Sequence, residues 1–358
     1  MEDRGFGLEL EADYGDTTVT KAEFDPDWWS DADSVNFKLG DDPVVKSGTS
    51  RMNKRARAGI MKPTGSTQLD ADLEKMAWFF RLFLDNYECT TGSTPATGHT
   101  QTYIHEYWGG EGKDLPSARI KAVYDKLIKY IYGAMEESLK LDVSDDSVSI
   151  SNEWIYKTEK ADIIGQNGVT FERPDELEEN IFLMFYDISL YLNNKELSDP
   201  TGFGGISTAF SYEGKNNFNV DGTIGLGSRY PQKKAQAGKR ENSLSITTEL
   251  TEGTIQSILD AEYGEVGALE PSSCKLLQVP LKVIIELCED SDISCEILFP
   301  KCTLKAEYDM SGADAIETTI SLDTLGSGEV TLEDNSKVET DMYVKLVNYQ
   351  EEIAPKEA

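Results

Sequence analysis

Few residues in this chain could do covalent or metal chemistry. Its two histidines, His99 and His105, lie in a Thr- and Gly-rich stretch that runs into Tyr103 and Tyr107. A zinc site needs further ligands at a recognisable spacing, and nothing beside these two supplies one. The five cysteines, Cys89, Cys274, Cys288, Cys295 and Cys302, are an odd number. The last three are not placed in the close pairs that wrap a tetrahedral metal. Free thiols on strands of a cytosolic protein are the expectation, since disulfides are rare there. The sequence has no Gly-x-Ser-x-Gly elbow and no Gly-rich phosphate loop ahead of Lys-Ser/Thr. Gly202-Phe203-Gly204-Gly205 lacks a buried strand before it and a helix after it, so it reads as a flexible loop. Carboxylate pairs are everywhere in so acidic a chain, and acid–base catalysis would need a geometry that spacing does not define. No catalytic, cofactor-binding or metal-binding residue is expected, and the chain does not read as an enzyme.

The informative residues are basic, because they oppose the chain's trend. Among 358 residues, 34 Lys+Arg face 65 Asp+Glu, a formal charge of −31 at pH 7. A protein that grips nucleic acid gains affinity by neutralising phosphates, and one that rides anionic membranes needs basic clusters; neither fits this excess of carboxylates. Hydrophobic residues make up 39% and aromatics 9%, so a packed core is expected rather than disorder. The charged start, Met1-Glu2-Asp3-Arg4-Gly5, does not read as a signal peptide. Apolar runs such as Ile181 to Tyr186 are too short to span a bilayer. Against this background Arg51, Lys54, Arg55, Arg57 and Lys62 form one basic island. Arg229, Lys233, Lys234, Lys239 and Arg240 form another. Two readings stay open: solvated loops that balance nearby acids, or surfaces that each meet an acidic face of another copy of the chain. Opposed patches of that kind fix register more than they add affinity.

The elements carrying these islands recur. Ser50-Arg51-Met52-Asn53-Lys54-Arg55-Ala56-Arg57-Ala58-Gly59 returns, with one insertion, as Ser228-Arg229-Tyr230-Pro231-Gln232-Lys233-Lys234-Ala235-Gln236-Ala237-Gly238. After the first copy, Leu73, Met76, Ala77, Phe80 and Leu84 fall at helical spacing, predicting a helix from about Asp70 to Asp85. After the second, Ile255, Ile258 and Leu259 predict a shorter one. Both then run into alternating segments that read as antiparallel strands. These are 120–124, 129–133, 138–143 and 148–154 in one half, and 283–285, 295–299, 303–308 and 316–322 in the other. Ser138-Leu139-Lys140 matches Thr303-Leu304-Lys305. An internal duplication is therefore expected, with units 1–168 and 169–358 joined near the Asn-Gly turn of Gly165-Gln166-Asn167-Gly168. Each unit is expected to be mainly β, a small sandwich or barrel with one flanking α-helix. Long Gly-, Asp- and Asn-rich loops such as 194–205 would project from it.

The order of motifs in the first half resembles a tail tube protein, the major tail protein of long-tailed bacteriophages. The resemblance runs from Arg55-Ala56-Arg57-Ala58-Gly59 through Pro63-Thr64-Gly65 to the helix around Leu73–Leu84. It continues through Thr94-Pro95-Ala96-Thr97-Gly98-His99, Leu115-Pro116-Ser117-Ala118-Arg119-Ile120, Tyr132-Gly133 and Ser138-Leu139-Lys140-Leu141. It covers about residues 48–160; the second half joins only through the internal repeat. The resemblance implies a structural virion protein made in the host cytoplasm. Its β-domains line up in rings that stack into a hollow tube, a conduit for double-stranded DNA. The implied partners are further copies of the chain, a tape measure protein and other tail proteins, with DNA as passing cargo and no membrane. A duplicated chain would close a ring as a trimer with pseudo-sixfold symmetry, otherwise as a hexamer. Carboxylates facing the bore would repel phosphates. The alternatives are a terminator or initiator ring, a tailocin tube, or a β-sandwich glycan-binding module built on Trp28, Trp29, Trp108 and the tyrosines.

Overall fold

Period-two alternation governs the fold. In Val148-Ser149-Ile150-Ser151-Asn152-Glu153-Trp154-Ile155 every second side chain is buried, and those between meet solvent, as a pleated strand with one dry face requires. The computed structural model describes residues 4–19, 21, 24, 26–40, 44–46, 55–95, 100–144, 147–171, 181–198, 207–249, 251–267, 270, 277–308 and 317–355.

The first half contains β1 (Arg4–Leu10), β2 (Trp28–Ser30), β3 (Ser34–Lys38), β4 (Val44–Lys46), β5 (Arg55–Arg57) and β6 (Thr64–Asp70). Helix α1 (Leu73–Phe83) follows, then β7 (Asn86–Thr91), β8 (Tyr103–Trp108), β9 (Ala118–Tyr124), β10 (Leu127–Val143), β11 (Val148–Ile155) and β12 (Thr158–Ile163). Further along come β13 (Ile188–Leu192), β14 (Lys195–Glu196), β15 (Ser207–Lys215), β16 (Glu241–Glu249) and helix α2 (Glu252–Tyr263). The chain ends in β17 (Val279–Glu286), β18 (Ser294–Tyr308), β19 (Glu317–Thr324), β20 (Gly328–Thr331), β21 (Lys337–Thr340) and β22 (Tyr343–Asn348).

All pairings among the described strands are antiparallel, and two long strands each change neighbours along their length. The first part of β10 lies between β9 and β12, and β9 leads on to β1 and β2. Its second part lies between β11 and β15, past a bulge between Glu136 and Ser138. Likewise the first part of β18 lies between β17 and β22, with β13 and β14 beyond β17. Its second part pairs with β19. Together these make one continuous run of eight strands, β3-β6-β11-β10-β15-β16-β19-β18. The hairpin β7–β8 joins through β22, and β4–β5 and β20–β21 are separate hairpins.

The core lies beneath the eight-strand run. Asp72 caps α1 by accepting the Lys75 N–H at 2.7 Å, and an extended Leu84 ends it. Met76, Ala77, Trp78, Phe79, Phe80, Leu82 and Phe83 are all buried. This is no amphipathic surface helix but one enclosed on nearly every side. Phe79 meets Trp154 and Trp28 at ring separations of 6.2 and 6.0 Å, and Phe80 meets Tyr107 at 6.1 Å. Helix α2 is more superficial: Ile258 and Ala261 are buried, while Ile255 is exposed.

The expected strands at 129–133 and 138–143 are one strand, β10, and those at 295–299 and 303–308 are one strand, β18. The breaks implied by Gly133-Ala134 and Pro300-Lys301 are absorbed inside them, the first by a positive φ of 67° at Gly133. Asn194 belongs to the tight turn of the β13–β14 hairpin rather than to an open loop; residues 199–206, with Gly202 to Gly205, lie outside the described residues. The turn at the expected unit boundary exists, with positive φ at Gly165, Asn167 and Gly168. Strand pairing crosses that boundary at β10–β15 and at β8–β22.

Candidate assembly surface

The repeated basic segments meet each other. Arg229 donates its Nε–H to the Gly59 carbonyl at 2.9 Å, and the Met61 N–H donates to the Arg229 carbonyl at 2.8 Å. Lys62 reaches Asp221 at 2.6 Å, and this contact holds the Asp221 carboxyl below its ordinary range. Lys234 pairs with Asp114 at 2.7 Å. Arg57, Lys233 and Lys239 are exposed. Arg51 and Lys54 lie outside the described residues, as does the side chain of Arg55. Arg240 differs from the rest of its island. Its guanidinium is largely buried between Asp85 at 3.0 Å, just past α1, and Asp341 at 3.0 Å, just before β22. It staples distant parts of the chain together rather than facing outward.

The second surface is one face of the eight-strand run. Cross-strand neighbours share a face, so register assigns it. Ser34, Gln68, Ser151, Lys140, Glu213, Ser243, Asp323 and Thr303 stand in one row, one residue from each strand, and all are polar. The opposite face carries Leu69, Ile150, Leu141, Tyr212, Leu244, Leu322 and Leu304 in a parallel row, and all are buried. Hydroxyls dominate the polar face through Ser66, Ser149, Ser211, Ser245, Thr247, Thr319 and Ser321. The acids Asp70, Asp142, Glu153, Glu213 and Asp323 are interspersed with Lys140, Lys215 and Lys305. Several charges neutralise each other within the face: Lys140 with Asp142 at 2.5 Å and Lys215 with Glu213 at 2.8 Å. This face is polar and weakly acidic, and a buried apolar row backs it.

The buried polar groups have structural partners. His105 is fully buried in β8. Its Nδ1 lies 2.9 Å from the Tyr87 hydroxyl, and its Nε2 faces Asn348 Oδ1 at 3.0 Å and the Gln350 carbonyl at 3.1 Å. A carbonyl can only accept, so Nε2 carries the proton, and burial pushes the imidazole pKa down. Nε2 is thus used in fixing the segment at the end of β22, and Nδ1 in tying β8 to β7. His99 lies outside the described residues. Glu136 is fully buried at the β10 bulge beside the Asn152 amide, and burial raises its carboxyl pKa well above the usual range. Arg119 meets Glu9 at 2.6 Å inside the β1–β9 pair. Cys89, Cys288, Cys295 and Cys302 are free thiols, and burial pushes Cys302 up to about 12; Cys274 lies outside the described residues. Trp28 is buried and Trp29 and Trp108 are half-buried. Trp29 stacks beneath Lys121 at 5.2 Å. No group of His, Cys, Asp and Glu suited to holding a metal occurs among the described residues. None of the described helices is long and apolar enough to cross a membrane.

Sequence spacing located the basic islands but not the buried role of Arg240, nor Glu136 and Asn152. Their only signal is a polar residue at an inward-facing strand position. No family model matches the chain, and no curated protein matches it.

Proposed function

We propose that this chain is a structural subunit that polymerises into stacked rings, forming the hollow tail tube through which a long-tailed phage passes its double-stranded DNA. The observation that carries this reading is the eight-strand run with one wholly polar row and one wholly buried row. Such a sheet is a ready segment of the wall of a water-filled bore. Hydroxyls there hold water, and carboxylates in excess of lysines repel a polyanion without binding it. DNA is then cargo, not ligand.

Two tandem copies of one sandwich unit are the finer architecture of this reading. In support, the pairings β2-β1-β9-β10-β12 and β3-β6-β11-β10 have counterparts in β14-β13-β17-β18-β22 and β15-β16-β19-β18. In each set a helix follows the strand that pairs with β11 or β19. If the wall takes six units, three chains complete a ring with pseudo-sixfold symmetry. The exposed bases Arg57, Lys233 and Lys239 suit contact between rings, where a second copy, and at the tube ends other tail proteins, would meet them. Electron microscopy of the purified protein tests the reading. Hollow tubes whose cross-section holds three chains are expected. Discrete particles that never stack, or six chains each spanning both units, would refute the tube or the trimer respectively.

A further inference from the structure

Within the chain, β15 completes the edge of β10 in one register: Ser138 opposite Lys215, Leu139 opposite Gly214, Lys140 opposite Glu213 and Leu141 opposite Tyr212. Transferring this register through the matched pairings of the proposed duplicated units puts Thr303 to Ala306 at the places of Ser138 to Leu141. It puts Val35 to Lys38 at the places of Tyr212 to Lys215. These two segments are opposite ends of the eight-strand run. Among the described residues β17 pairs no further along β18 than Cys302, and β3 pairs only with β6. We infer that β3 of one copy adds to β18 of the next, setting Lys38 opposite Thr303, Phe37 opposite Leu304, Asn36 opposite Lys305 and Val35 opposite Ala306. The inference rests on the duplicated-unit reading above.

Chemistry at both ends fits an edge held ready for a strand. The Ala306 N–H donates to Glu262 Oε1 at 3.2 Å, so a carboxylate from the last turn of α2 covers a main-chain donor. At the other end Lys129 Nζ donates to the Phe37 carbonyl at 2.6 Å, and the carbonyl keeps a second lone pair. Counting from the helix starts, Glu262 stands where α1 has Phe83. There the ring lies directly over Gly214 of the joined strand, leaving no room for a side chain. A helix end therefore attends the edge in both halves: an aromatic ring seals the completed junction, and a charge caps the open one. Charged caps on sheet edges suppress indiscriminate pairing. The incoming Val35 main chain would displace the Glu262 carboxylate, and only a strand in register covers the half-buried Val35 with the half-buried Ala306 and continues the buried row of Phe37 and Leu304.

Mixed oxidation tests this. One population of the full chain carries Asn36→Cys and the other Lys305→Cys, so that a link can only join copies. Opposed residues on one face come within disulfide reach, whereas a slip of one residue turns the partner to the other face. Linked product should therefore exceed that from Asn36→Cys mixed with Ala306→Cys by about tenfold. Each population oxidised alone gives the background of the native thiols. Glu262→Ala should raise the rate of linking several-fold; an unchanged or slower rate would remove the cap from the proposal. Equal yields from the slipped pair, or no link while hollow tubes form, would overturn the register and leave the tube standing. Linked copies that never form tubes would uphold the register and sink the tube.

Discussion

Arg229 donates from Nε to the carbonyl of Gly59, and the two lie 170 positions apart in the chain. Through this bond, and that from Met61 N–H to the Arg229 carbonyl, the two copies of the repeated basic motif touch in one molecule. Arg229→Ala removes a charge-assisted hydrogen bond of about 1.5–3 kcal/mol. It should lower the urea midpoint without changing the slope of the transition. A midpoint equal to that of the parent protein would show that the contact is incidental.

The exposed members of the islands should act on assembly and not on folding. Reversing Arg57 and Lys233 to Glu is expected to leave stability within about 0.5 kcal/mol, as for most surface changes. Tube elongation followed by light scattering should fall sharply. Elongation at the parent rate would assign these charges to solvation alone.

Arg240 should behave in the opposite way. Its removal leaves Asp85, whose side chain is only 5% exposed, as a buried charge without its cation. Losses of about 3–5 kcal/mol are typical of such half-broken pairs. Thermal unfolding of Arg240→Ala should show a large fall in Tm. A fall comparable to that of the Lys233 variant would contradict the staple.

Glu136 makes stability depend on pH. Burial raises its carboxyl pKa in the folded protein, so the folded state holds a proton that the unfolded state releases. Stability from this group is fully present below the unfolded carboxyl range. It declines as pH rises from there toward the folded value. Glu136→Gln keeps the acceptor for the Asn152 amide and needs no proton. It should be more stable than the parent at pH 7. It should match the parent near pH 4, with a flatter profile between. Parallel profiles would place the charge elsewhere.

Much of this was legible in residue order. Alternation in Val148 to Ile155 and helical spacing in Leu73 to Leu84 depend on local geometry alone, so they read directly. The length of β10 did not, because Gly133 looks like a stop until its neighbours β9, β11 and β12 hold the strand together on both sides. The polar face of the eight-strand run could not be assigned either. Its carboxylates differ from others in the chain only by register, and a shift of one residue inverts every side chain. Arg240 was grouped with its island by sequence proximity, while its partners Asp85 and Asp341 come from far away along the chain.

The pairing of β8 with β22 has a consequence in time. Residues 103–108 find their partners at 343–348, and His105 is fixed by Asn348 and Gln350. During synthesis the hairpin β7–β8 must therefore wait until β22 has been made. The outer edge of the second part of β10 waits for β15 in the same way. Contacts this distant are slow to form, and the early half leaves the ribosome with unsatisfied backbone on display. Residues 343–350 thus close a part of the molecule whose other half was made long before them.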